Sequence, residues 1–160
     1  MQNLARMAGF FAAHGMWSIS DEGGPITPLF GYETADGRRG AIRFADEDLR
    51  VAVERGKEAL DTNADGADRA VLIFDGYAHL ASGRMDALII EGVEYGPSPR
   101  RFQMAVPYRP EPFTVFRPKF LKADRVGADE WPALGDAFYA GVDSHEQAGP
   151  IWNAHLDQSI

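Results

Sequence analysis

The chain has 160 residues, a formal net charge of −8, 45% hydrophobic residues and no cysteine. This is the composition of an ordinary folded chain, long enough to bury a core without covalent help. The missing thiols exclude disulfide frameworks, thiolate zinc sites, iron–sulfur clusters and cysteine nucleophiles, and no stretch approaches the ~20 apolar residues of a membrane-spanning helix.

Leu4, Met7, Ala8 and Phe11 recur at helical spacing, which predicts an amphipathic first helix stopping near Gly15. The same stretch holds a single arginine, a short apolar centre broken by His14 and no cleavage-site pattern. It is therefore read as structure, not as a secretory signal, and the cytoplasm is the expected compartment. From Met16 to Phe44, short apolar pieces (MWSIS, PITPLFGYE, GAIRF) separated by glycine-rich turns predict two or three short strands. Asp46, Glu47 and Asp48 precede Leu49, Ala52, Val53 and Leu60, which places acids at the positive end of a second helix, from about Asp46 to about Asp61.

The clearest signal follows: AVLIFDGYAHLA and DALIIEGVEY are two β-rich runs joined by SGRM. With Gly83 and Arg84 as the central pair of a type II′ turn, Ser82 faces Met85 and His79 faces Leu88. Alternation then gathers Leu72, Phe74, Ala78 and Leu80 with Ala87, Ile89, Glu91 and Val93 on the more apolar face, leaving Asp75, Tyr77, His79 and Asp86 on the other. RRFQMAVPYRP and FTVFRPKF predict further strands, with Pro107 and Pro118 marking edges or bulges. Helical texture returns after Asp129, with Ser144 and Gln147 spaced as a capping box and a break expected at Gly149-Pro150. Strands that follow one another through short turns predict an α+β fold over residues 1–160 as one domain. Its sheet is mainly antiparallel, short N-terminal strands plus a four-stranded meander, packed with N-terminal, middle and C-terminal helices.

No recognised catalytic motif occurs. Asp75, His79 and Asp86 on one hairpin face, with Glu91 stranded on the apolar one, form the candidate catalytic set of a ligand-binding protein or metal-assisted hydrolase. A histidine steadied by a carboxylate is the least that acid–base work needs, and a buried glutamate is costly unless paired or protonated. The plainer reading is a half-solvated sheet face, with Glu91 meeting a cation or returning to solvent. The acid-x-lysine element of one nuclease class is absent, and His145, Glu146, His155 and Asp157 lack zinc-ligand spacing, so no metal or cofactor is expected.

Seven basic and two acidic residues fall between Arg100 and Arg125, whereas residues 126–160 hold six acids and no lysine or arginine. Aromatics interleave the basic block, as in single-strand nucleic-acid binders, but an overall pI near 4.9 makes nucleic acid the least favoured partner. The first reading is therefore a module that binds a protein partner or a second copy of itself, in a regulatory, adaptor or immunity-like role. Tyr77, Tyr108, Arg109, Arg117 and Trp152 are its candidate anchors by residue type.

Overall fold

The computed structural model describes residues 1–160. Its helices are α1 (Gln2–Glu22), α2 (Leu49–Thr62), α3 (Trp131–Ser144) and α4 (Ala148–Ala154). Its strands are β1 (Leu29–Glu33), β2 (Arg39–Arg43), β3 (Arg69–Leu80), β4 (Gly83–Glu94), β5 (Arg100–Pro110), β6 (Phe113–Phe116), β7 (Lys119–Ala123) and β8 (Leu156–Asp157). The strands run β2-β1-β3-β4-β5-β6-β8, with β7 also on β5, and every pairing but β6–β8 is antiparallel. The fold is α+β with a mainly antiparallel sheet, as the chain order predicts.

The first helix does not stop at Gly15, and MWSIS is helical rather than a strand. Met16 and Ile19 continue the buried stripe of Leu4, Ala8 and Ala12, and that packing outweighs the low helical propensity of one glycine. A Cβ on Gly15 would lie 3.1 Å from Leu88 Cδ1, so this glycine serves a close approach of α1 to the sheet. Gly23, at φ 78°, ends the helix instead, its N–H returning to the Ile19 carbonyl. The second helix begins at Leu49, three residues after the expected start at Asp46, because Asp48 caps it from outside, accepting from the Arg50 N–H at 2.9 Å; the acids stand ahead of its positive end.

The central hairpin turns at Ala81-Ser82, and Gly83, at φ 120°, pairs with Leu80 instead of occupying the turn. His79 thus faces Arg84, not Leu88: the register differs from the predicted one by four residues. An even shift preserves which residues share a face, but the assignment of the main core inverts. Val71, Ile73, Leu88, Ile90, Met104 and Val106 carry α1 and the larger core. The opposite face, Leu72 with Ala70 and Val93, is covered by α2, where Leu72 fills the space a Cβ on Gly56 would take. Each long strand therefore carries apolar residues at successive positions, which hides the inside from the outside in a one-dimensional pattern.

After β5 the meander divides. Phe102–Ala105 pair with β7 and Tyr108–Pro110 with β6, so Pro107 sits where β5 changes partners and lacks no ladder bond there. The C-terminal break falls at His145–Gln147, ahead of Gly149-Pro150; Pro150 lies in the first turn of α4, where its missing N–H costs nothing. Ser144 does not cap α4, because its hydroxyl donates to the Gly141 carbonyl at 2.6 Å, and His145 Nδ1 accepts the Ala148 N–H instead.

The contact between α1 and α3 is set by two glycines. A Cβ on Gly9 would lie 1.9 Å from the Phe138 carbonyl oxygen, and one on Gly141 would lie 1.8 Å from that of Arg6. Backbone meets backbone there, and this close approach brings the end of α3 against the middle of α1.

Candidate functional site

The predicted hairpin cluster is only partly assembled. Asp75 lies on the α1 face, where Oδ1 accepts the Tyr108 hydroxyl at 2.6 Å and Oδ2 accepts the Ile26 N–H at 2.6 Å. Burial holds its carboxyl above the ordinary range despite both donors, and burial with the adjacent carboxylate raises the Tyr108 hydroxyl strongly. Asp86 and Tyr77 join them around a recess of about 390 Å³ beside Gly24-Pro25. His79 is exposed at the far end of the hairpin opposite Arg84 and does not line that recess. Glu91 is on the other face of the sheet, where Lys57 Nζ stands 3.7 Å away and Gln103 Nε2 donates at 3.3 Å. The quartet Asp75, His79, Asp86 and Glu91 is therefore not one site. With both oxygens of Asp75 already occupied and no nucleophile beside it, the carboxylate acts as a latch that fastens the loop after α1 to the sheet.

The predicted anchors separate in the same way. Tyr77 is 55% exposed, with the Arg84 guanidinium 4.4 Å from its ring centre. Arg109 is exposed over Phe116, and Arg117 is exposed with Nε donating to the Ile160 carbonyl at 3.0 Å. Tyr108 and Trp152 are buried, so neither is a surface anchor: their large apolar area is used in the core. Phe102 and Phe116 of the basic segment are buried as well, and Phe113 and Phe120 pack against the core. That segment therefore offers no row of stacking platforms for bases. Nor do the basic and acidic blocks neutralise each other broadly: Arg101 pairs with Asp61 at 2.9 Å, while Arg100 stands 4.0 Å from Glu130.

A second concavity has more chemistry in it. Two hollows of about 510 and 800 Å³ share Phe10, Phe11, Ala41 and Ser144 and form a continuous groove between α1, β2 and the α3–α4 junction. Alternation along β2 turns Arg39, Ala41 and Arg43 toward it and leaves Ile42, 41% exposed, on the opposite side. No strand pairs with the outer edge of β2. Phe10, Phe11 and Trp17 supply apolar walls, Arg6 adds a third guanidinium, and Glu33 is shared between Arg39 and Arg69.

On the floor of the groove His14 and His145 meet. His14 Nδ1 is 3.0 Å from His145 Nε2, and His14 Nε2 is 3.0 Å from Arg43 Nη2. Phe10 stacks on the His145 ring at 4.8 Å and Trp17 meets it edge-on at 5.7 Å. Burial lowers the pKa of both imidazoles; for His14, His145 and Arg43 lower it further. Both rings are thus held toward the neutral form. His155 does not join them: its ring packs against Phe113 at 5.2 Å, with Nδ1 2.8 Å from the Ile151 carbonyl. No three histidine or carboxylate side chains converge as metal ligands.

Sequence reasoning noticed His14 and His145 singly and missed their meeting, because they are 131 residues apart. A usable signal was present in α1, where Phe10, His14 and Trp17 form a stripe at i, i+4 and i+7 beside the core stripe. No family model, curated protein or solved structure matches the chain.

Proposed function

We propose that the protein works by binding a protein partner, and that an acidic extended segment of that partner lies in the groove along β2. The supporting observation is the coincidence, on one strand, of an unpaired edge and an arginine-bearing face, beside aromatic walls. An added strand gains main-chain hydrogen bonds from the edge and side-chain selectivity from alternate positions. Arg6, Arg39 and Arg43 outnumber Glu33 and Glu146 along the groove, a local positive balance on a chain that is acidic overall, so the groove favours acidic segments. A second copy is the weaker occupant. Antiparallel pairing of two β2 edges about Ala41 would bring Arg39 of one copy against Arg43 of the other. The cytoplasm is the compartment that fits a cysteine-free chain with this role.

Selection from a random-peptide library on the full chain, followed by backbone-amide NMR of the recovered peptides, tests this reading. Acid-rich binders that shift the amides of Gly40–Arg43 and weaken when Arg39 or Arg43 is replaced by glutamate are expected. Basic binders, perturbations centred on another surface, or no enrichment would remove it.

A further inference from the structure

The floor of the groove carries a proton-counting conflict. The Ala148 backbone N–H donates to His145 Nδ1 at 3.0 Å, so a neutral His145 carries its proton on Nε2. That proton points at His14 Nδ1, 3.0 Å away, and occupies its lone pair. A neutral His14 then carries its own proton on Nε2, facing the Arg43 guanidinium at 3.0 Å. Arginine only donates, so two donors meet with no acceptor between them. The conflict cannot move to the other end of the chain of bonds, because the Ala148 amide is fixed in the first turn of α4, whereas Arg43 is exposed and free to swing. The same proton count argues against a metal ion between the rings, which would need lone pairs on His14 Nδ1 and His145 Nε2 together.

We propose that His14 Nε2–H and Arg43 form an oxyanion-binding site, which takes a carboxylate or phosphate oxygen between the two donors, and that His145 is the positioning residue that fixes the His14 tautomer. An anionic oxygen accepts from both at once, and charge-assisted bonds of this kind are the stronger class. The site lies on the floor of a groove walled by Phe10 and Trp17, where partial exclusion of water strengthens such bonds. The inference rests on the partner reading above, since a glutamate or aspartate of the bound segment is the natural source of that oxygen; free phosphate is the other source of the same chemistry.

The test uses the full chain, inorganic phosphate at constant ionic strength, and long-range proton–nitrogen NMR of the imidazoles near neutral pH. Nε2–H tautomers at both His14 and His145 are expected, with a saturable phosphate shift at His14 Nε2. Arg43→Gln is expected to weaken that response about tenfold or more, as loss of a charged donor does. His145→Phe releases the His14 tautomer and His145→Gln, which keeps a donor near Nε2, restores it; neither change is expected of a purely structural role. A proton on His14 Nδ1 in the native chain, or a phosphate response indifferent to Arg43→Gln, overturns the proposal even if His145→Phe fails to fold. Phosphate at His14 without acidic peptides at β2 keeps the anion site and removes the partner reading. Acidic peptides on β2 that leave His14 Nε2 unmoved do the reverse.

Discussion

Tyr108 and Asp75 meet across the covered face of the sheet, the tyrosine hydroxyl donating to the carboxylate at 2.6 Å. The second oxygen of Asp75 takes the Ile26 N–H, so one side chain ties β5, β3 and the loop after α1 together. Tyr108→Phe leaves the half-buried carboxylate one donor short, and a cost of about 1–3 kcal/mol is expected from urea unfolding near neutral pH. Asp75→Asn costs less, because the amide still accepts from Ile26 and donates to the phenolic oxygen. Equal stability of Tyr108→Phe and the parent chain would show that the latch carries no weight.

Two groups of opposite sign shape the dependence of stability on pH. Asp75 has a folded pKa above its unfolded value, so the folded state holds the proton longer, and this group's contribution falls as pH rises between the two values. His14 and His145 have folded pKa values below the ordinary 6.5, so the unfolded chain takes up protons first, and their contribution is complete above that pH and lost as pH falls through and below it. The unfolding midpoint in urea is therefore expected to decline from pH 7 toward pH 5. The double variant His14→Gln, His145→Gln is expected to flatten that decline, and an unchanged slope would mean the pair is not neutral in the folded chain.

These same residues show what sequence reading could and could not reach. The α+β order, the long hairpin and the approximate place of α2 follow from local patterns of alternation and of acids ahead of a helix, whereas the hairpin turn fell at Ala81-Ser82 and α2 starts only at Leu49. The buried face of the hairpin did not, because α1 and α2 cover both sides and leave Ile73 and Leu72 equally apolar neighbours. Trp152 and Tyr108 were legible as important residues and misread as anchors, since residue type alone does not separate a core aromatic from an exposed one. His14 and His145 depend on tertiary contact over the whole chain length, which no window of sequence contains.

The two glycines between α1 and α3 are the positions most sensitive to an added methyl group. A Cβ at residue 141 would lie 1.8 Å from the Arg6 carbonyl oxygen, a backbone atom with no freedom to yield. Gly141→Ala should therefore separate the helices and cost about 1–3 kcal/mol or more, despite the better helical propensity of alanine. Separation also moves His145 away from His14, so the imidazole nitrogen spectrum is expected to change even though residue 141 touches neither ring. Gly135→Ala is the control: it lies in the same helix with nothing near its Cβ and is expected to be neutral or stabilising.

Glu33 offers a sharper contrast, because two arginines share its carboxylate from opposite strands. Arg39 pairs from β2 with its side chain 65% exposed, whereas Arg69 pairs from β3 at 16% exposure and has a buried Nε without a partner. An exposed ion pair contributes about 0–1 kcal/mol, while stripping the partner from a largely desolvated charge costs several times that. Arg39→Ala is therefore expected to leave urea stability within about 0.5 kcal/mol, and Glu33→Ala to lower it by about 2–4 kcal/mol. Since Arg39 also lines the groove, the same Arg39→Ala variant should weaken acidic-peptide binding at unchanged stability. If Arg39→Ala destabilised the fold as much as Glu33→Ala does, the Arg39–Glu33 pair would be a structural tie and not an exposed pair that a bound segment can share.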